Sequence, residues 1–392
     1  MNNKKGSVKN LHVVFFVGFL LTVALALTSY IDSSFAQGLI NVKSIGFLFS
    51  VGAILSILLL SRMTQIISRV GVATIFQTSA LTYLVSVFGM LSTQKPLFFQ
   101  ALFVVYIVSG VAMYFIIDIL IVHFSTDSLT GKIRGFYLTI YNSAFMLGPL
   151  FAGFILKENS FRMVYLIAGI FIITMTLVYM RYLENIPITI KKHGNTFWLS
   201  FIKLSKNRDL WRVYISSIML YFFFSWMAIY IPIYLTNIIH FGWDKIGLMF
   251  GIMHVPYVLF EIPIGRLADR CKCEREIISI GFVIIGISTA FLSKLGDSGF
   301  FFWAITLATT RLGASFVQVG TESYFFKKIT EKDGGLIAVF RNAAPIAYIL
   351  GPLTATIFLS FVSFENLFII LGAIMILTIF VSLKIKNLKW IR

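Results

Sequence analysis

Long apolar runs parted by short polar segments set the rhythm of this chain. The runs cover about 11–31, 44–61, 71–93, 97–124, 135–156, 162–180, 210–239, 246–264, 277–294, 299–326, 336–360 and 364–384. A helix needs roughly 20 mostly apolar residues to cross a bilayer, and each run is near or above that length. The apolar–polar alternation of a membrane β-barrel strand is missing. The pattern therefore predicts an all-α membrane protein with 12 transmembrane helices. The first run follows Lys4, Lys5 and Lys9 and precedes Ser34-Phe35-Ala36, much as a cleavable leader would. Its apolar stretch, Leu11–Tyr30, exceeds the about 7–15 residues of a leader's apolar region, so a retained first span is expected.

The longest polar stretch, Arg181–Arg212, divides the runs six and six. This predicts a first bundle over 1–182, a cytoplasmic linker loop over 183–209 and a second bundle over 210–392. The halves also repeat, at an offset of about 203–204 residues. Ser61-Arg62-Met63-Thr64-Gln65 aligns with Gly265-Arg266-Leu267-Ala268-Asp269, and Leu147-Gly148-Pro149-Leu150 with Leu350-Gly351-Pro352-Leu353. Asp118 aligns with Glu322, and Asp127 with Glu331. Two pseudo-symmetric six-helix bundles related by an axis along the membrane normal account for the shared offset.

Composition sharpens this picture. With 58% hydrophobic residues among 392, the chain has more apolar surface than one water-soluble core can hide. A net charge of +17 would suggest a nucleic-acid partner in a soluble protein, but its placement gives a different account. Most lysines and arginines fall in the tails and on one alternating set of loops. Only Lys43, Lys95, Lys157, Arg162, Lys245 and Lys294 fall on the other side, and Arg311 and Arg341 lie within spans. The positive-inside rule then puts both termini in the cytoplasm, as an even number of spans requires. Cys271 and Cys273 share a loop on that side and are expected to be reduced thiols.

Gly265-Arg266-Leu267-Ala268-Asp269-Arg270 carries a resemblance. It matches the first six positions of G-x-L-A-D-R-x-G-R-R, the loop signature of the major facilitator superfamily, and departs from it at Lys272, Cys273 and Glu274. The first-half copy is eroded, with Ser61 for the Gly and Gln65 for the acid. The chain resembles that family over nearly its whole length, which implies the major facilitator fold and a cytoplasmic latch resting on the second copy. In the residues themselves, Gly265 is expected to let two helices approach closely. Asp269 is placed to meet a helix N-terminus or Arg134, with Arg270 beside it. A plain topological anchor is the other reading of these charges. The fifth run reads Gly135, Ala144, Gly148-Pro149, Ala152-Gly153. It is similar to the family's antiporter signature G-x8-G-x3-G-P-x2-G-G with Ala for Gly twice. That resemblance implies export by exchange, whereas ordinary small-residue packing explains the same pattern without it.

Charges inside spans are costly, about 2.5–3.5 kcal/mol each on insertion scales, and are functional candidates. Arg311 lies roughly 18 Å along the tenth span. Arg311, Ser315, Gln318 and Glu322 share one helical face, which should look toward protein or water. Asp118, Glu261 and Glu322 are candidates for proton coupling, because burial raises a carboxyl's pKa and a nearby Arg lowers it. They are equally candidates for gate ion pairs with Arg62, Arg69, Arg266 or Arg270. Arg311 is the candidate countercharge or substrate anchor, and Arg341 is expected to snorkel to the surface. Asp32 closes the first span and is expected to be solvated. Trp226, Tyr230 and Tyr234 share a face of the seventh span, either lining a substrate pocket or, the favoured reading, facing lipid in an aromatic belt.

The sequence lacks a G-x-x-x-x-G-K-[ST] loop, a long soluble segment and any metal or nucleophile constellation. No enzyme activity, cofactor, metal or nucleic-acid partner is expected. The leading expectation is a monomeric secondary active transporter of the cytoplasmic membrane that exports small organic solutes, drug-like amphiphiles or sugars, against proton entry. Uptake or facilitated diffusion of a sugar or organic anion is the alternative, and a non-transporting membrane protein a third.

Overall fold

The computed structural model describes residues 2–124, 130–156, 161–184, 186, 196–328 and 334–386; the side chains of 2–9, 43, 64, 122, 130–139, 196–197, 269, 334–335 and 337–338 lie outside the description. Among the described residues all regular structure is helical. In chain order the helices are α1 (Asn2–Ser29), α2 (Asp32–Gln37), α3 (Val42–Val70), α4 (Val72–Ser92), α5 (Pro96–Phe124), α6 (Thr130–Leu156), α7 (Phe161–Tyr182), α8 (Thr196–Lys206), α9 (Arg208–Asn237), α10 (Trp243–Cys271), α11 (Glu274–Leu292), α12 (Phe300–Lys328), α13 (Gly334–Arg341), α14 (Ala343–Phe358) and α15 (Phe364–Ser382).

Ten of these helices are long and apolar enough, over their described residues, to cross a membrane. The other two predicted runs fall on α6, whose described apolar part is Ile140–Leu156, and on the pair α13–α14. The run 336–360 is not one helix: it breaks at Asn342. Pro345 explains the break, since it has no N–H for the Arg341 carbonyl and its ring crowds that carbonyl. Outward faces carry large apolar side chains such as Leu81, Phe154, Ile287, Phe302 and Phe380. In water that surface would cost about 25 cal/mol per Å²; against lipid it costs nothing.

The chain divides into two compact units, Met1–Lys192 and His193–Arg392. In the first, α1 packs against α5, α6 and α7, while α5 also packs against α3 and α4. In the second, α12 packs against α9, α10 and α11, and α15 closes over α9 and α11. The linker region holds α8, which packs on α9 and α13 and leaves Trp198, Leu199 and Ile202 exposed.

Small residues set how near the helices lie. A Cβ at Gly313 would stand 2.7 Å from the Gly281 carbonyl oxygen and 2.8 Å from the Ile285 nitrogen, so α11 and α12 meet backbone to backbone. Gly286 and Gly372 do the same for α11 and α15. In the first unit a Cβ at Gly148 would stand 2.6 Å from the Ala26 Cβ, which presses α6 onto α1. Gly265 does not behave this way. A Cβ there would meet Val319 at 3.9 Å, an ordinary contact, so the expected close approach lies elsewhere on α11 and α12. Gly313→Ala should therefore destabilise the detergent-solubilised protein by about 1–3 kcal/mol, while Gly265→Ala should stay within about 0.5 kcal/mol. Thermal unfolding of the two variants checks this, and equal shifts would contradict the packing described.

Candidate functional site

The second unit carries a charge at mid-span. Arg311 lies near the middle of α12, about 17 Å from the helix start, and is 2% exposed. Its guanidinium sits 5.3 Å from the Phe223 ring centroid and 4.9 Å from that of Phe224, both on α9. Such a cation over two ring faces gains on the order of 2 kcal/mol when desolvated, which offsets part of the cost of burial. His254 on α10 lies within electrostatic reach of Arg311. Its Nδ1 is 2.8 Å from the Phe250 carbonyl oxygen, and its ring stacks with that of Tyr257. The predicted polar face of α12 looks into protein: Ser315 is fully buried, and Gln318 and Glu322 are half-buried.

Glu322 is held by Arg341 of α13 in a two-pronged pair, Nη1 to Oε1 and Nη2 to Oε2, the second at 3.3 Å. Arg341 also lies 5.7 Å from the Phe326 centroid. Its side chain stays 37% exposed while paired with Glu322. Asp118 on α5 and Glu261 on α10 are half-buried and engage neighbours. Trp226, Tyr230 and Tyr234 face neither lipid nor an open pocket. All three are fully buried, against Phe358, Phe364, Phe368 and Trp303, and the Tyr230 hydroxyl donates to the Pro352 carbonyl at 3.2 Å. Their stripe on α9 points at α12, α14 and α15, which makes it core.

The loop after Gly265 has a clamp of its own. Glu274 opens α11 and is 0% exposed. Lys327 at the end of α12 reaches it at 2.8 Å and also donates to the Ala268 carbonyl at 3.4 Å. One ion pair thus ties α10, α11 and α12 over the apolar contacts of Ile264, Ala268 and Ile277. Glu274 also complements the positive N-terminus of α11. The sequence reading treated Glu274 as a departure from the loop signature and missed the pair. An acid opening one run and a lysine closing the next was the available signal. Arg270 is exposed. The side chains of Asp269, Arg134 and Gly135 lie outside the described residues, so their expected roles have no geometry here. Gly148 makes the close contact with α1 described above, Pro149 sits inside α6, and Gly153 is buried. Cys271 and Cys273 are joined as a disulfide instead of standing as free thiols. Lys272 between them adopts φ 50° at the end of α10, which brings their Cα atoms to 5.1 Å.

In the first unit the notable group is one the sequence reading dismissed. Asp32 is not solvated: it is 7% exposed and accepts from the Tyr165 hydroxyl of α7 at 2.5 Å and the Tyr106 hydroxyl of α5 at 3.3 Å. Burial pushes its carboxyl up to about 7, and the two tyrosine hydrogen bonds only partly oppose this. Nothing in the local sequence marks Asp32 as buried. Its enclosure depends on Tyr106 and Tyr165, far along the chain.

The comparisons with known proteins follow the same lines. A sequence model described as "Major Facilitator Superfamily" matches residues 11–253 and 231–388. Solved structures of similar shape include the nucleoside transporter NupG, with TM-score 0.71, 12% identity, and coverage of 96% of this chain and 98% of that one. Another was solved for "substrate recognition in proton dependent oligopeptide transporters", with TM-score 0.73, 11% identity and coverage of 96% and 98%. No curated protein sequence matches. At these identities the structural likeness speaks for the fold. A helical chain with paired units, buried intramembrane charges and this sequence match is a multi-pass membrane protein of the transporter class. The chain belongs to the Major Facilitator Superfamily and has its fold, which points to transport rather than catalysis.

Asp32 has a consequence for stability. A carboxyl raised from 3.8 to about 7 on folding binds its proton more tightly folded than unfolded. Its contribution is fully present below about pH 4 and is lost as pH rises to about 7, a span worth about 4 kcal/mol. Wild-type protein in detergent should therefore lose stability over that window, and Asp32→Asn should flatten the loss and be the more stable of the two above pH 7. Parallel thermal-unfolding profiles for the two proteins would contradict this assignment.

Proposed function

We propose that the protein is a proton-coupled secondary transporter that exports small organic solutes from the cytoplasm. The single observation that carries this reading is Arg311: a cation held at mid-span, inside protein, with two phenylalanine rings against it. A group so costly to bury has a use for an apolar or aromatic solute bearing an electron-rich or negative group. In this reading the two units move relative to each other so that the polar groups open to one side of the membrane and then to the other. The Glu322–Arg341 pair acts as an ion pair that breaks and reforms with that motion, while the Glu274–Lys327 clamp, its carboxylate fully buried, holds α10, α11 and α12 together. The Glu322–Arg341 pair is partly exposed, where such a contact is weak enough to be reversible. Of the three candidate acids, Asp118 and Glu261 keep the coupling role, while the two-pronged hold of Arg341 favours a gate role for Glu322.

The export direction is supported by the small-residue run Gly135 to Gly153, with Gly148 pressed on Ala26, and by its likeness to the antiporter signature. The distribution of basic residues supports a cytoplasmic-membrane orientation with both termini inside, and the duplicated halves within one chain support a monomer. Proton coupling also fits one protein of similar fold, described as a proton-dependent oligopeptide transporter. A second reading, uptake or facilitated diffusion of an organic anion, is favoured by Arg311 itself. The purified chain in liposomes, screened against a panel of sugars, amphiphilic drugs, nucleosides, peptides and organic anions under an imposed proton gradient, decides between them. Export of an apolar or aromatic solute with an electron-rich group should survive Arg311→Lys, which keeps the charge, with a modest loss, and should fall much further in Arg311→Ala. An anion porter should lose most of its flux already in Arg311→Lys, about tenfold or more. No flux of any solute would contradict the reading.

A further inference from the structure

We propose that Asp32, with the hydroxyls of Tyr106, Tyr165 and Thr28, forms a proton-binding site in the first unit. This deepens the proton-coupled reading above and rests on it for its role in transport, though not for the binding itself.

The geometry carries the case. Asp32 begins α2, just past the first span, and helices distant in sequence close over it. Tyr165 of α7 donates to Oδ1 at 2.5 Å. Tyr106 of α5 lies 3.3 Å from Oδ1 and 3.5 Å from Oδ2. The Tyr106 hydroxyl is also 2.6 Å from Thr28 Oγ1, with either atom able to donate. Thr28 in turn reaches the Leu25 carbonyl at 3.2 Å. Tyr83 of α4 packs its ring 4.8 Å from that of Tyr106. On α2 itself, the Ser33 and Ser34 hydroxyls are buried without a hydrogen-bond partner. The groups facing the carboxyl from α1, α5, α7 and α4 are thus hydroxyls. Among the described residues no lysine, arginine or histidine pairs with it, and on α3, which packs on α2, the Lys43 side chain is outside the description.

This chain of hydroxyls accommodates both charge states. With the carboxylate ionised, Tyr165 and Tyr106 each donate to it, and Thr28 donates to the Tyr106 oxygen. With the carboxyl protonated, its O–H donates to the Tyr106 oxygen, Tyr106 donates to Thr28, and Thr28 donates to the Leu25 carbonyl. One proton is gained at Asp32 and no other bond is made or broken; the hydroxyls only rotate. A buried acid fixed in one state would be paired with a cation or locked by one-way donors. This one is set among groups that donate and accept in turn, and burial brings its titration near neutrality.

Infrared difference spectroscopy of the full chain in lipid, titrated from about pH 5 to about pH 9, tests the site. A protonated-carboxyl C=O band should fade with a midpoint near neutrality and should be missing in Asp32→Asn. Tyr165→Phe, which removes only a donor to the carboxylate, should keep the band and move its midpoint upward. A band unchanged in Asp32→Asn, or no titrating band with both variants folded, overturns the proposal. So does a band that vanishes at fixed pH on adding sodium chloride but not choline chloride, which assigns the site to a metal cation. In liposomes, solute-driven proton flux that persists in Asp32→Asn would remove Asp32 from coupling and leave proton-coupled transport standing. If no panel solute moves protons, the function proposed above fails while the infrared titration still decides the site.

Discussion

A charge cannot sit against hydrocarbon, so wherever this chain buries one, helices must close around it. That constraint organises both units. Arg311 is covered by the aromatic face of α9 and by α12's own neighbours. Glu274 is neutralised by Lys327 at the ends of α11 and α12. Among the described residues Asp32 meets no cation and is surrounded by hydroxyls. The three solutions differ in what they allow. A cation on aromatic rings keeps capacity for a ligand, a buried ion pair locks helices together, and a carboxyl among hydroxyls can gain or lose a proton. The proton-coupled porter proposed above would use the first and the last, with the pair holding the frame.

Enclosure depends in turn on how near the helices come. The backbone contacts at Gly281–Gly313 and Gly286–Gly372 bring α11 against α12 and α15, which fixes the helix that carries Arg311. Gly148 against Ala26 does the same for α1, the helix that leads into Asp32. Apolar packing alone gives little direction in a membrane, where lipid is as greasy as leucine. Small residues and polar contacts specify the arrangement instead.

The architecture was legible because hydrophobic run length and short repeated motifs are one-dimensional signals. Ten spans, the duplicated halves and the family follow from them, and Arg311 stood out as a charge in an apolar run. What the pattern misplaced depended on partners distant in the chain. Asp32 lies at a span's end, where an acid is ordinarily solvated, and only Tyr106 and Tyr165 reveal it as buried. Glu322 pairs with Arg341 of a separate helix, a contact between two runs that neither run shows by itself. Trp226, Tyr230 and Tyr234 form a stripe that lipid or core would fit equally well, and only the packing of α14 and α15 on α9 settled it. Gly265 carried a motif's expectation of close approach, which Gly313 and Gly281 fulfil instead.

The proposed transport cycle requires that the polar face of α12 beyond Arg311, which looks into protein here, be reached by water from each side of the membrane in turn. Gln318→Cys, on a background with Cys271→Ser and Cys273→Ser, tests it by reaction with a membrane-impermeant maleimide applied separately to either face of oriented vesicles. The account predicts labelling from both faces, with a proton gradient shifting the balance between them. Labelling by a lipid-dissolved reagent alone would place that face in hydrocarbon and contradict it.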